Sequence, residues 1–275
     1  MSGGYAGTPH CDRTLLVRDA RERDRWRRLI VERGFRIAAL NAWGNPLDPD
    51  RELARRHDGD LRSTILLAAA VGVERVLALA GCPGDVRPTF AAGGWLPYLE
   101  GEHERQWQDV GAPYWAELSA FARSEHPELL VCVELHPGTL VYNLETFAEL
   151  AAVGENLTAN VDPSHLFWMQ MDPLAVVAQL PRVGYAHLKD VVFERRALAV
   201  NGILDRRSPG ARDASWRFAT VGRGHDPSWW RTFLGALAAR GVEQAAIEHE
   251  DPLVPVDEGI AEALELLSRA EEAAA

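Results

Sequence analysis

The stretch LETFAELAAVGENLTANVDPSHLFW, from Leu144 to Trp168, carries the pattern that decides the fold. It opens with an amphipathic helical segment over 144–153, passes through a glycine turn, and continues as an apolar run over 157–161 that stops at Asp162-Pro163. Helix, short turn, buried strand and a polar residue at the strand's end form one unit. The same order recurs on both sides. Helix 15–32 leads to an apolar run at 35–40, helix 61–71 to 73–80, and helix 114–124 to 129–133. Further on, helix 173–180 leads to 183–188 and helix 228–240 to 245–247, giving six helix-strand units. Continuous apolar strands alternating with amphipathic helices predict a parallel sheet covered by helices.

No GxGxxG follows the first run and no Walker sequence is present, which removes the dinucleotide-binding and P-loop versions of such a sheet. A barrel or an open doubly wound sheet remains. Polar residues end successive runs: Asn41 after the first, then Glu134, Asp162, His187 and Glu248 after the last four. In a (β/α)8 barrel the carboxyl ends of the strands carry the chemistry, so this placement favours a TIM-type barrel occupying 1–275 as one domain. Two Gly-, Pro-, Trp- and Arg-rich excursions, 83–108 and 193–223, are expected to fold over its mouth, and the Glu-Glu-Ala-Ala-Ala tail to fray.

Composition narrows the function. The longest apolar run, 65–73, is about half of what crosses a bilayer, and the N-terminus lacks a signal-peptide pattern, so no membrane association is expected. A net charge of -11 opposes a polyphosphate partner, so no nucleic-acid partner is expected. Cys11, Cys82 and Cys132 form no CxxC pair and point to a reducing cytoplasm. Of 29 basic residues only Lys189 is lysine, which directs attention to its neighbours.

Glu134, Asp162, His187 and Glu248 come from four consecutive strand ends, and a closed barrel would aim all four into one mouth. Three carboxylates and an imidazole make an oxygen-rich site for one divalent ion. Mn²⁺ is the first choice, with Mg²⁺, Co²⁺ or Zn²⁺ as alternatives. Glu250 competes with Glu248, because residues two apart on a strand share a face.

The local motifs are VELHPG at 133–138, NVDPSHLFW at 160–168, AHLKD at 186–190, VGRGHD at 221–226 and IEHEDP at 247–252. Together with NPL at 45–47 and GCPG at 81–84, they resemble the sugar phosphate isomerase/epimerase family of xylose-isomerase-like TIM barrels. The resemblance implies that Glu134, Asp162, His187 and Glu248, at the ends of strands five to eight, hold one divalent metal. It also implies proton abstraction beside a carbonyl through a metal-stabilised enediolate, with Glu134 and Glu248 exchanging roles as base and acid.

Other residues have both a functional and a structural reading. His136 and His165 either contact substrate oxygens or are satisfied structural histidines. His225, in a glycine-rich loop with Arg217 and Arg223 nearby, either binds a phosphate or sugar hydroxyl or belongs to a solvated loop capped by Asp226. Lys189 shares the face of His187 and either polarises a substrate oxygen, orients Glu248, or bridges to a neighbouring strand. Trp43, Trp95, Trp168 and Trp216 fall in loop-like segments. Of these, Trp43 and Trp168 are the candidates for stacking on a sugar, the alternative being core packing.

The family alignment places 35–40 on the third strand, so the first two strands are absent and Gly3-Gly4-Tyr5 reads as a remnant of the second. A misassigned start codon is the leading explanation. The alternative is a genuine six-strand open barrel whose edges, 35–40 and 245–247, a partner chain of a homo-oligomer covers. The expected function is a metal-dependent isomerase or epimerase of a ketose or sugar derivative. Its rivals are a metal-dependent lyase on a 3-keto-glycoside and a non-catalytic sugar-binding relative. Apurinic endonucleases share the barrel and the Asp-x-x-His spacing of Asp162 and His165, but the strand ends at Asn41 and Gly81 offer no histidines for further metals.

Overall fold

Runs that are apolar on both faces, each preceded by a capped helix, assemble here into a parallel sheet. The computed structural model describes residues 10–84, 101–205 and 213–272. Gly3-Gly4-Tyr5, Trp95 and the last three alanines lie outside the described residues. The chain divides into two compact units, Met1–Asn160 and Val161–Ala275.

The first unit begins with α1 (Arg13–Arg18) and α2 (Ala20–Glu32). The single helix expected over 15–32 is thus broken. Asp19 between the two is extended, and its carboxylate accepts the amides of Arg21 and Glu22, which ends one helix and starts the next. β1 is Leu40–Ala42, later than the expected 35–40. Phe35 is 68% exposed, and burial begins only at Ala39 and Leu40, so pairing has no apolar face to fix it before that point. Asn41 therefore lies within the strand and not after it.

α3 (Arg51–Val71) starts ten residues before the expected helix because Asp50 caps the amides of Glu52 and Leu53; it ends at left-handed Gly72. Its buried stripe includes Ile65, Leu67 and Ala68, and Ile65→Ala would cost about 2–5 kcal/mol. Next come β2 (Arg75–Leu79), α4 (Glu102–Gln106), α5 (Ala112–Glu125) and β3 (Leu130–Glu134). They are followed by α6 (Leu144–Val153), started by an Asn143/Thr146 capping box, and β4 (Leu157–Val161), buried along its whole length. These strands pair in parallel, with Leu40 opposite Val76, Leu79 opposite Glu134, and Glu134 opposite Asn160.

The second unit contains α7 (Pro163–Trp168), α8 (Pro173–Gln179), β5 (Val183–Leu188), β6 (Asp190–Phe193), α9 (Arg195–Asn201), β7 (Trp216–Ala219), α10 (Pro227–Ala239), β8 (Ala245–Ile247) and α11 (Val256–Glu272). β5 pairs in parallel with β8, placing Leu188 opposite Ile247. The excursion expected over 193–223 carries structure of its own: β6 and β7 form an antiparallel pair, from Asp190 opposite Ala219 to Phe193 opposite Trp216. Trp216 is therefore a strand residue, not a loop residue. Among the described residues the parallel strands number six, β1-β2-β3-β4 in the first unit and β5-β8 in the second, the six runs read from the sequence and an incomplete set for an eight-stranded barrel. No helix among these residues is long and apolar enough to cross a membrane.

Candidate metal centre

Each of the four strand-end residues owes its position to the strand before it. Glu134 is the last residue of β3 and is buried, with Oε2 accepting a hydrogen bond from Asn160 Nδ2 at 3.3 Å. Asp162 follows β4 directly and caps α7, its Oδ1 accepting the Ser164 amide at 2.8 Å. That hydrogen bond fixes the carboxylate and leaves Oδ2 turned towards side chains. His187 lies in buried β5, and Glu248 follows β8, where its own amide donates to Leu188 at 3.1 Å. Asp162, His187 and Glu248, all of the second unit, each offer one ligand atom, and these atoms lie within 4.8 Å of one another.

Within the second unit the centre is organised around Lys189, which is 2% exposed. Its Nζ donates to Glu248 Oε2 at 2.6 Å and to Glu250 Oε1 at 3.3 Å, and forms a 3.0 Å ion pair with Asp162 Oδ2. His187 Nδ1 stands 3.6 Å from Glu248 Oε2, and His165 Nε2 is 3.6 Å from Asp162 Oδ2. Glu250 thus reaches the same ammonium as Glu248, but the candidate cluster contains Glu248. One ammonium leaves the surrounding carboxylates in excess, a charge balance that suits a dication.

Residues 5–270 match the family described as xylose isomerase-like TIM barrel. The chain belongs to this family. Its similarity to the Uncharacterized protein YfiH of Bacillus subtilis (strain 168) is 33% identity over 278 residues, 98% of this chain and 88% of that protein. Among solved structures, the apo 3-keto-D-glucoside 4-epimerase YcjR from E. coli shares the fold at 13% identity with a TM-score of 0.61, covering 95% of this chain and 86% of that one. A xylose isomerase-like TIM barrel protein from Mycobacterium smegmatis in complex with magnesium matches at 16% identity and TM-score 0.61, covering 93% and 81%.

In this member of the xylose isomerase-like barrels, the other residues singled out from the sequence divide between the centre and the scaffold. Lys189 and His165 are at the centre, and both contact Phe218: the ammonium lies 4.5 Å from the ring centroid, and the imidazole meets it edge-on at 5.6 Å. His136 follows β3, its Nδ1 2.6 Å from the Pro137 carbonyl, and Trp43 is half-buried just after β1. Trp168 stacks on Trp216 at 4.7 Å with ring planes 8° apart, so the packing reading holds for that face of the indole. Arg217 donates to Asp251 at 3.2 Å and to the Phe218 carbonyl. Arg223 forms a two-pronged pair with Glu262.

The glycine-rich loop around His225 favours its structural alternative. The amides of Gly222, Gly224 and His225 all donate at 3.0 Å to Oδ2 of fully buried Asp190, and His225 Nδ1 lies 2.7 Å from Oδ1. A carboxylate of the chain holds the donors that a phosphate would need. A Cβ on Gly224 would come within 2.1 Å of the Val191 carbonyl oxygen, so only glycine fits there. The His225 ring stacks on Phe167 at 3.7 Å.

Sequence reasoning passed over Asp190, Asn160 and Phe218. Asn160 had a usable signal, since it stands two residues before Asp162 and shares its strand face. Asp190 had none, because the three loop amides it accepts lie 32, 34 and 35 residues further along the chain.

Proposed function

We propose that this chain is a divalent-metal-dependent isomerase or epimerase of a ketose or related sugar derivative. The observation that carries the proposal is the set Asp162, His187 and Glu248, from three strand ends of the second unit, with ligand atoms within 4.8 Å. Glu134, Asp162, His187 and Glu248 would hold the ion; the oxygen-rich donors with one imidazole suit Mn²⁺ first and also Mg²⁺, Co²⁺ or Zn²⁺. When bound, the ion supplies positive charge against the charge that develops on substrate oxygens as a neighbouring C–H is ionised.

The chain's own residues handle the proton. Glu134 and Glu248 are the two carboxylates assigned to take the proton from the carbon beside the carbonyl and to return it, one as base and the other as acid. Glu248 is half-exposed, which leaves it a path to solvent for exchange. His136 and His165 are assigned to substrate oxygens, and Trp43 to the apolar face of the sugar. Burial of Asp162 and His187 excludes water from the inner side of the centre. Two of the structural relatives support separate halves of this reading: one is named as an epimerase of a keto-glucoside, and another was crystallised with magnesium.

The test combines metal content with solvent exchange. Purified chain supplied with Mn²⁺ should carry about one ion per chain by mass spectrometry, the count a single four-ligand site takes. In D₂O it should exchange the C3 proton of a ketose as followed by NMR, and Asp162→Ala should lose both properties. A folded chain that takes up no metal overturns the proposal. One that binds metal but exchanges no proton is a sugar-binding relative instead, and loss of a β-substituent during exchange identifies a lyase.

A further inference from the structure

Within the second unit the lone lysine touches the carboxylates of Asp162, Glu248 and Glu250, and the first two belong to the proposed ligand set. Glu248 Oε2 and Asp162 Oδ2, at 2.6 and 3.0 Å from Lys189 Nζ, are on residues of that set; Glu250 Oε1, at 3.3 Å, is not. An oxygen that accepts an ammonium at such a distance has its charge offset, and a dication seeking the same atom must displace the ammonium. Conversely, Asp162 is fully buried, and without a cation the carboxylates around it would repel one another in a poorly solvated place.

We propose that Lys189 is an internal counter-ion: it holds Asp162 and Glu248 when no metal is bound and is handed over to Glu250 when a divalent ion takes those oxygens. The inference rests on the metal-site reading above. The handover needs a short reach and a receiving group, and both are present. Glu250 follows Glu248 by two residues and already contacts the ammonium, and its side chain is 47% exposed, at the outer edge of the cluster. The face of Phe218, 4.5 Å from Nζ, gives the ammonium a second resting contact along the way. A lysine, with its flexible stem and compact charge, can make this move where a planar arginine fork would not, and this chain uses arginine at its 28 other basic positions. Lys189 acts through the ligand carboxylates and is a positioning residue.

The chain's single lysine makes the test direct. Protein labelled with ¹⁵N-lysine carries one side-chain ammonium signal. Titration with the diamagnetic ions Mg²⁺ or Zn²⁺ is expected to shift that signal in step with metal uptake. Glu250→Gln removes the receiving carboxylate, so the ammonium signal should broaden into solvent exchange on metal binding while metal affinity falls. Lys189→Met should bind metal about tenfold more tightly, the factor expected when the competing state holds roughly nine-tenths of the metal-free population. It should also melt lower than wild type without metal and show a larger metal-induced rise in Tm. An ammonium signal that stays unchanged while one metal per chain is bound overturns the handover, as does a Glu250→Gln chain whose ammonium responds to metal as in wild type. The wild-type spectrum decides the matter even if Lys189→Met does not fold. If neither wild type nor variant takes up metal, the metal-site reading itself is overturned and the handover falls with it.

Discussion

Asp190 and Asp162 are both fully buried residues of the second unit, yet they are satisfied in opposite ways. Asp190 is enclosed by backbone: three amides from the Gly222–His225 loop and the Val191 amide point at it, with the Trp230 indole at 3.4 Å. Asp162 takes one amide, from Ser164, and otherwise faces an ammonium and an imidazole carried by separate elements. Amides fixed by the chain's own path cannot leave, whereas a side-chain cation can be exchanged for another cation. The difference separates a carboxylate that builds a loop from one that can serve a ligand, although the two look alike in burial.

Breaking the first member of the pair should have the largest effect. Asp190→Ala leaves several loop amides without an acceptor and should lower unfolding stability by about 3–5 kcal/mol, read from urea denaturation. A loss under about 1 kcal/mol would show that water replaces the carboxylate with little penalty. Breaking the second should act on ligand binding instead: Asp162→Ala should weaken metal affinity by about 100-fold or more in calorimetric titration, with the metal-free chain still folded.

Asp251 sharpens the contrast because it combines both modes. Burial pushes its carboxyl up, but the amides of Thr220 and Leu253 and the Arg217 guanidinium outweigh that and hold it below the usual carboxylate range. A carboxylate with a depressed folded value stabilises the fold fully above its unfolded pKa of about 3.9, and that contribution is lost as pH falls through the folded value. Melting curves from pH 6 to pH 3 should therefore show wild type more stable than Asp251→Asn by about 1–2 kcal/mol at the upper end, with the gap closing at the lower end. A gap constant with pH would remove the charge from the account. The smallest effect belongs to the exposed pair Arg223–Glu262, where Glu262→Gln should change stability by less than about 1 kcal/mol and less still in high salt.

How much of this could be read in advance follows the same division. Strands β3, β4 and β5 were legible as largely apolar buried runs and β8 as a short apolar one, although its residues are only partly buried, and the residue ending each run was legible as a candidate ligand because a strand end in a parallel sheet has a fixed direction. The first strand was displaced because the apolar residues from Phe35 onward are not yet buried, and hydrophobicity alone does not mark where pairing begins. The helix over 15–32 was read as continuous because Asp19 reveals itself as a cap only through its dihedral angles. The phosphate reading of the His225 loop failed because a glycine-rich loop shows its donors in sequence and not its acceptor, which here is a carboxylate of the chain itself.

The pairing of β6 with β7 has a consequence for how such a barrel can be altered. The Glu194 amide donates to the Ser215 carbonyl at 3.0 Å, just beyond the last strand pair, so the two ends of the intervening segment are clamped together. Because closure entropy grows only slowly with length, residues can be added or removed beyond that clamp at little thermodynamic penalty. A single-residue deletion between His187 and Asp190 would instead swap which side chains face the candidate ligand cluster and which face the glycine loop, disrupting both at once. Inserted recognition elements are therefore best grafted between Glu194 and Ser215, and the three-residue step from His187 to Asp190 left at its present length.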